Sequence, residues 1–275
     1  MGCDRQNPRW WRQLPELGIR QLADVLECVE RHLAWPVATQ ELIVQLLPKN
    51  AVVDRPVTLT QALYRVWGRV RRAPISGWAA EKAPFWDKVV TGYSALRAAL
   101  LRQASMDIAS TLRFSWDSAL YDIEMFSDSI SLETVVETTM RLDVDYPLDV
   151  LALALQMHSA PRRVATENAV SELIWPKKSL MAGCSQSVDL GRLALWSILE
   201  DLHAAYRPRE LSTWVDDIEH QERGRQHAVI NKVLEVAQAL VEKLARRGFK
   251  VSAKSVILTN PPKLAAELVE QLQRR

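Results

Sequence analysis

The first sixty residues combine one helical pattern with one strand-like pattern. Apolar residues recur at helical intervals between Leu17 and Val29, and Pro36 follows them. This spacing predicts an amphipathic helix that ends before the proline. Short apolar runs at 42–47 and 56–59 then flank a polar segment. Two such runs around a polar turn predict a β-hairpin.

The remainder of the chain alternates between helical and strand-like patterns. In chain order the predicted elements are a helix at 63–70, an irregular connection at 73–95, a helix at 95–110, a strand at 119–123, helices from 131 and at 150–158, strand pieces at 173–176 and 179–182, a helix at 188–205, strands at 211–215 and 218–221, a helix at 229–244 and a strand at 249–258. This order predicts an α+β fold in which helices cover one face of an antiparallel sheet.

Composition narrows the class of protein without indicating a function. The chain has 275 residues, 48% of them hydrophobic, which is enough to bury a core without disulfides or a structural metal. Lys and Arg number 35 against 33 Asp and Glu, a net charge of +2, so a polyanion would be met by a local basic patch. The three cysteines are an odd, scattered set, which argues against a disulfide framework. We expect an intracellular protein of the nucleus or cytoplasm, with no targeting signal and no membrane attachment.

The strongest chemical signal is a pair of adjacent carboxylates, Asp216 and Asp217, between two apolar segments. Like charges a few ångströms apart resist ionising together. On a hairpin turn both side chains can approach one side, where a divalent cation would remove their repulsion. An ordinary turn also favours Asp for backbone reasons, so the pair alone leaves both interpretations open.

A third carboxylate, Asp122, interrupts a predicted apolar strand. A charged side chain inside such a strand is costly unless it binds something. If this strand lies beside the hairpin of Asp216 and Asp217, three carboxylates converge. That is the ligand set for two hard cations about 3.5–4 Å apart, which clamp the attacking and leaving oxygens of phosphoryl transfer. The alternative for Asp122 is a surface loop that precedes a helix.

Five segments, in the expected order, resemble motifs of the reverse transcriptase domain of retroelements. They are most similar to the motifs of the non-LTR and group II intron lineages. Residues 46–49 with 54–57 resemble the fingers hairpin "iPK … RPi", 122–130 the first palm motif "DIxxFFDxI", 178–187 the loop and helix "GxPQGxxxSP", 214–217 the "YxDD" motif, and 244–260 the "L…Gl.ln..Kt" segment. The resemblance covers about residues 41–260 of the chain.

The resemblance implies the fold of a right-hand polymerase. Residues 41–115 would form the fingers and 116–260 the palm, behind an N-terminal helical extension at 1–40. The segment 261–275 would form one C-terminal helix, a remnant of a thumb that is otherwise absent or truncated. The implied activity is a nucleotidyltransferase: RNA-directed DNA polymerisation that joins deoxynucleoside triphosphates (dNTPs) to a DNA primer on an RNA template.

The resemblance also assigns roles to single residues. Asp122 and Asp216 would hold two Mg²⁺ ions, with Mn²⁺ as the alternative ion, while Asp217 lies beside them and the carbonyl of Ile123 is a further ligand. Lys254 would act on the leaving pyrophosphate; an edge-strand lysine is the alternative for it.

Four other residues would surround the incoming nucleotide. Lys49 and Arg55 would lie over the triphosphate, where a point charge and a guanidinium fork offset its negative charge. Gln186 would touch the nucleotide sugar or the template base. Ser127 stands where the family usually has an aromatic residue that excludes the ribose 2′-hydroxyl.

A basic run completes the implied site. Arg65, Arg69, Arg71 and Arg72 would follow the template phosphates, although a solvated helix face explains them equally well. Two further classes of protein stay open beside the polymerase. One is a decayed reverse transcriptase that binds nucleic acid without turnover, and the other is a helical interaction protein whose Asp doublet is a simple turn. The retained carboxylates favour the polymerase.

Overall fold

The computed structural model describes residues 2, 4–7, 9–49, 54–90, 92–141, 144–260 and 262–273. The chain forms two compact units that interleave along the sequence. The first unit comprises Met1–Ala79 and Ile130–Leu190, and the second comprises Ala80–Ser129 and Gly191–Arg275. The two units differ from the predicted fingers and palm, which are consecutive segments of the chain. The assignment of fingers and palm stays a prediction.

Helices and strands alternate through both units. The described helices are α1 Glu16–His32, α2 Ala62–Val70, α3 Arg72–Lys82, α4 Ala95–Thr111, α5 Phe126–Ser129, α6 Leu132–Arg141, α7 Leu148–Ser159, α8 Ser187–Tyr206, α9 Gln226–Arg246 and α10 Pro262–Gln273. The described strands are β1 Leu42–Pro48, β2 Asp54–Leu59, β3 Ser115–Glu124, β4 Arg162–Ala165, β5 Glu210–Trp214, β6 Asp217–Gly224, β7 Lys250–Val251 and β8 Val256–Thr259. None of the described helices combines the length and the apolar character that crossing a membrane requires.

The first unit contains a three-stranded sheet in the order β2-β1-β4. The antiparallel pairing of β1 with β2 confirms the predicted hairpin, whose turn at 50–53 lies outside the described residues. Strand β4 pairs parallel to β1 and was not predicted, because its four residues, two of them arginine, show no apolar alternation. The strand pieces predicted at 173–176 and 179–182 are wrong: Ile174 makes only an isolated bridge to Arg162.

The core of the first unit is centred on three aromatic rings. Trp35, Tyr64 and Trp67 lie 5.3–5.6 Å apart, centroid to centroid, and all three are buried. Indole N–H groups need a partner when buried. That of Trp35 donates to the carbonyl of Leu153, and that of Trp67 donates to Glu30 at 2.8 Å.

The irregular connection predicted at 73–95 is wrong over its first half, where α3 forms. Pro74 is the third residue of this helix, a position where the missing N–H group would have had no partner within the helix. Gly77 is exposed, with open space around its Cα. Neither residue therefore prevents helix formation.

The second unit contains a mainly antiparallel sheet in the order β5-β6-β3-β7, with β8 also paired to β3. Helices α9 and α10 bury one face, where Val233, Leu234, Leu264 and Leu268 pack with Ile257 of β8. Because Ile257 is opposite Ala119 of β3, this is the face of Ala119 and Tyr121. The mixed fold with an antiparallel sheet is thus confirmed. The prediction that helices cover only one face is wrong, because Arg102 of α4 is 3.6 Å from Glu219, which projects to the face of β6 opposite Ile218.

This buried face carries polar groups as well as apolar ones. Asp117 is 1% exposed, and neither of its carboxylate oxygens has a hydrogen-bond partner of good geometry among the described residues. Burial, followed by repulsion from Glu222, raises its pKa to about 8. Nearby, the Tyr121 hydroxyl is 3.1 Å from Nδ1 of His220, and burial lowers the pKa of that imidazole to about 3. The sheet therefore contains an acid that is neutral at pH 7 and a histidine that stays uncharged.

The protonated state of Asp117 should make stability depend on pH. Its folded-state pKa is above the unfolded value, so its stabilising contribution is complete at low pH and is lost as the pH rises toward 8. We expect Asp117→Asn to be more stable than the parent at pH 8. Between pH 6.5 and 8, above the ordinary pKa of histidine, the free energy of unfolding of the parent should fall by up to about 1.4 kcal/mol per pH unit because of Asp117. This decrease should be absent from Asp117→Asn.

Urea unfolding of both proteins across that pH range measures the slope. His220→Gln is the control, since its titration lies at lower pH and should leave the slope between pH 6.5 and 8 in place. Equal slopes in the parent and in Asp117→Asn would contradict a neutral Asp117.

Candidate active site

The pairing of β3 with β6 places Asp122 directly opposite Asp217. Residues opposite each other in an antiparallel pair project their side chains to the same face. On the other side of β6, Trp214 of β5 is also opposite Asp217, so the turn of this hairpin contains only Val215 and Asp216. Asp216 is therefore in the turn that directly precedes Asp217, at the end of the sheet.

The charges of Asp216 and Asp122 act on the carboxyl group of Asp217. Partial burial, then Asp216, then Asp122 raise the pKa of Asp217. The structure thus brings Asp122 to the adjacent pair Asp216 and Asp217, from which it is far apart in the sequence. Within the described part of the chain, however, no three His, Cys, Asp or Glu side chains are arranged as a ready-made metal cluster. The metal-binding roles of Asp122, Asp216 and Asp217 accordingly stay predictions.

The turn between the two hairpin strands is strained at Val215. Its φ is +61°, a left-handed conformation that a β-branched side chain rarely adopts. Such a residue costs on the order of 1–3 kcal/mol and persists only when its surroundings impose it. Here the pairing of Trp214 with Asp217 imposes it, because two residues must close the hairpin.

A turn between β7 and β8 holds the backbone of Asp122 on the other side of β3. The Asp122 N–H donates to the Ser255 hydroxyl at 3.2 Å, and the Ser252 N–H donates to the Asp122 carbonyl at 2.7 Å. The Ser255 N–H closes the turn on the Ser252 carbonyl at 3.0 Å. The continuous strand predicted at 249–258 is therefore wrong, since these serines bond β3 in place of a regular ladder. The two serines on either side of Lys254, Ser252 and Ser255, were the sequence signal for this turn.

Lys254 lies within this turn and lines the same groove as Asp122 and Asp217, a cavity of about 410 Å³. Lys88 and Arg102 also line it. Ile123 directly follows Asp122, and its side chain is buried where β3 pairs with Val251. The role of its carbonyl as a metal ligand stays a prediction. The groove thus combines carboxylates and cations.

Comparisons with known proteins give a fold and no closer relationship. No protein-family model matches the chain, and no curated protein matches it. Apo telomerase from Candida tropicalis, truncated from its C-terminal domain, superposes with a TM-score of 0.61 at 12% identity, over 81% of this chain and 51% of that one. Telomerase from the same organism in complex with a TWJ fragment of telomeric RNA gives 0.59 at 11% identity, over 82% and 41%. This chain spans about half of those chains or less.

The chain has a reverse-transcriptase-like fold. At these identities the likeness concerns the fold alone. It does not show that the chain comes from a retroelement, and it does not assign roles to single residues.

Two of the predicted nucleotide-binding residues lie at one end of the β1–β2 hairpin. Lys49 directly follows β1, and Arg55 of β2 is opposite Leu47. Both Lys49 and Arg55 are exposed. They belong to the first unit, and their binding of a triphosphate stays a prediction.

The other two candidates are less accessible. Gln186 is completely buried, and neither atom of its side-chain amide makes a hydrogen bond within the described residues. The loop before it packs onto α2 so closely that a Cβ at Gly68 would lie 2.7 Å from the Ser185 hydroxyl. Ser127 is half-buried in α5, where the neighbouring Phe126 stacks on Phe249.

The basic run around α2 divides into paired and exposed side chains. Arg71 forms an ion pair with Glu30, whose pKa it lowers, and Arg72 contacts the buried Asp189 at 2.7 Å. These two arginines therefore connect elements of the first unit. The arginine at position 65 donates weakly to the carbonyl of residue 6 at 3.4 Å, and the one at position 69 is exposed.

The strain at Val215 can be tested by glycine substitution. Because glycine adopts positive φ without steric cost, Val215→Gly should raise the melting temperature by about 2–4 °C, equivalent to roughly 1 kcal/mol. Val256→Gly is the control: Val256 is a valine in β8 of the same sheet that has no positive φ, although it is exposed whereas Val215 is half-buried. Glycine there should lower the melting temperature. A similar loss in both variants would show that Val215 is not strained.

Proposed function

We propose that this chain is an RNA-directed DNA polymerase domain of a retroelement, which transfers a nucleotide from a dNTP to the 3′-hydroxyl of a primer. The observation that carries the proposal is the convergence of Asp122, Asp216 and Asp217 at one end of a sheet in a reverse-transcriptase-like fold. The RNA-bound telomerase among the similar structures supports binding of RNA.

The donor set suits divalent metal ions. Carboxylate and carbonyl oxygens are the ligands that Mg²⁺ prefers. Burial, and after it the negative charges of Asp216 and Asp122, raise the pKa of Asp217, and a cation would offset those charges. In the proposal Asp122 and Asp216 hold two Mg²⁺ ions, or Mn²⁺, with Asp217 beside them and the Ile123 carbonyl as a further ligand. When bound, the ions supply activation of the primer oxygen and charge stabilisation at the reacting phosphate.

The remaining residues bind and position the nucleotide. Lys254 lines the groove of Asp122 and Asp217, where its ammonium group is suited to neutralise or protonate the leaving pyrophosphate. Lys49 and Arg55 bind the triphosphate as exposed cations. Ser127, half-buried, occupies the position that faces the sugar.

A decayed reverse transcriptase that binds nucleic acid without turnover is the second candidate. It is favoured by the burial of Gln186, which removes that amide from solvent, and by the ion pairs that engage Arg71 and Arg72. Both candidates predict nucleic-acid binding, and only the first predicts extension of a primer.

Extension of a DNA primer on an RNA template tests the proposal. We expect Asp216→Asn to reduce Mg²⁺-dependent extension by at least about a hundredfold, because it removes the charge of a proposed metal ligand while keeping the shape of the side chain. Asp201→Asn is the control, since Asp201 is exposed on α8 and contacts only Lys243 among the ion pairs of the described residues.

The outcomes separate the two candidates. Loss of extension in Asp216→Asn alone, with duplex binding retained, supports the polymerase. Binding by the parent without extension in either Mg²⁺ or Mn²⁺ supports the decayed protein instead. Equal extension by the parent and Asp216→Asn would overturn the metal assignment.

A further inference from the structure

One edge of the three-stranded sheet of the first unit lies beyond β4. The chain turns back after this strand, and Ile174 and Arg162 exchange two backbone hydrogen bonds of 2.8 Å. The Ser171 N–H also donates to the Val164 carbonyl at 2.9 Å. Residues 170–175, which we call the outer segment, therefore run antiparallel to β4 and form the edge of the sheet.

The outer segment presents unpaired backbone groups. Among the described residues, neither Leu173 nor Trp175 makes a backbone hydrogen bond, whereas Ile174 between them makes two. Successive residues of an extended chain direct their N–H and C=O groups to opposite sides. Those of Leu173 and Trp175 therefore point away from β4, where a second extended chain can pair with them.

The side chains of the outer segment are mostly apolar and exposed. Trp175 is 69% exposed, Val170 63%, Ile174 47% and Leu173 37%. Leu173, Ile174 and Trp175 are consecutive, so exposed apolar side chains project to both faces of the sheet edge. An exposed apolar run of this kind at a sheet edge is typical of a surface that another chain covers.

The opposite edge of the same sheet has a different composition. There β2 begins with Asp54, Arg55 and Pro56, and the two charged residues are exposed. Charged side chains and proline at an edge discourage pairing with a second chain. The outer segment contains neither lysine nor proline, and Glu172 is its one charged residue. The sheet is thus protected at the β2 edge and open at the outer segment.

The charges around the outer segment are self-complementary. Glu167 and Glu172 precede Leu173, whereas Lys177 and Lys178 follow the segment. All four charged residues are exposed, and none of them forms an ion pair within the part of the chain that the structure describes. Two antiparallel copies of the segment would place the acidic end of each beside the basic end of the other, whereas parallel copies would bring like charges together.

We propose that the outer segment is a dimerisation edge, which pairs antiparallel with the outer segment of a second copy of this chain. Such a pair has two-fold symmetry and uses the same edge of both copies, so association ends at the dimer. The pairing covers Leu173 and Trp175 and gives their backbone groups partners. The edge contains no residue of the carboxylate groove, so dimerisation is independent of the proposed function.

Sedimentation velocity of the full chain tests the apolar contact, at loading concentrations from about 1 to 200 µM because interfaces of this small size are weak. We expect the parent to change from monomer to dimer over this range. Trp175→Ser should raise the dimer dissociation constant at least about tenfold, since it removes the most exposed apolar side chain of the edge. Met140→Ser is the matched control: Met140 is also 69% exposed and lies on α6 of the same unit.

Reversal of the charges tests the antiparallel orientation. Glu172→Lys makes both ends of the edge basic, and the double variant Lys177→Glu, Lys178→Glu makes both ends acidic. Each variant alone should associate more weakly than the parent, because like charges then meet at both ends of the pair. An equimolar mixture of the two variants should associate at least about fivefold more tightly than either one alone.

Three results would overturn the dimerisation edge. These are a parent that stays monomeric at every concentration, equal association by Trp175→Ser and Met140→Ser, and no gain in affinity when the two charge variants are mixed. A monomeric parent that binds single-stranded RNA through Trp175 would assign the edge to nucleic acid instead. Primer extension by Trp175→Ser, which lies outside the groove, keeps the fate of the proposed function separate from that of the dimer.

Discussion

The alignment of β3 with β6 determines which side chains meet. Since side chains alternate between the two faces, a shift of one residue would send Asp122 away from Asp217 and expose the apolar residues behind it. Burial of Ala119, Tyr121 and Ile218 against the helices opposes such a shift. The two serines that bond the backbone of Asp122 fix the same strand from its other side. Three carboxylates can therefore remain together despite their mutual repulsion.

The same strand carries a second carboxylate to the opposite face. Asp117 is five residues before Asp122, an odd number, so the two side chains point to opposite sides of the sheet. On the helix-covered side, burial keeps Asp117 neutral at pH 7, while on the groove side Asp122 lies near a lysine and two further acids. The two faces of one strand thus give the same residue type different surroundings, because their solvent access differs.

Elements with strong local patterns were predictable, and those that depend on distant packing were not. The Asp216–Asp217 hairpin and the stripe of α9 follow from spacing alone. Strand β4 exists because β1 offers it an edge, and its own residues show no alternation. The burial of Gln186 depends on the close approach of its loop to Gly68, which the sequence around Gln186 does not indicate. The pairing of β3 with β6, on which the predicted convergence of carboxylates depends, places Asp122 opposite Asp217, while the metal-binding roles of these residues stay predictions.

The number of basic residues near a site is a poor guide to the charge available there. Arg71 and Arg72 belong to the densest basic run, and both are engaged by acidic side chains of their own unit. Lys254, by contrast, lies outside any basic run and lines the carboxylate groove. It does so because the turn at 252–255 places four residues opposite only two residues of β3, Tyr121 and Asp122. This extra pair of residues is even in number, so the strands on both sides keep their buried faces while the turn leaves the ladder. Position within an irregular turn, rather than local charge density, thus places a cation in the groove.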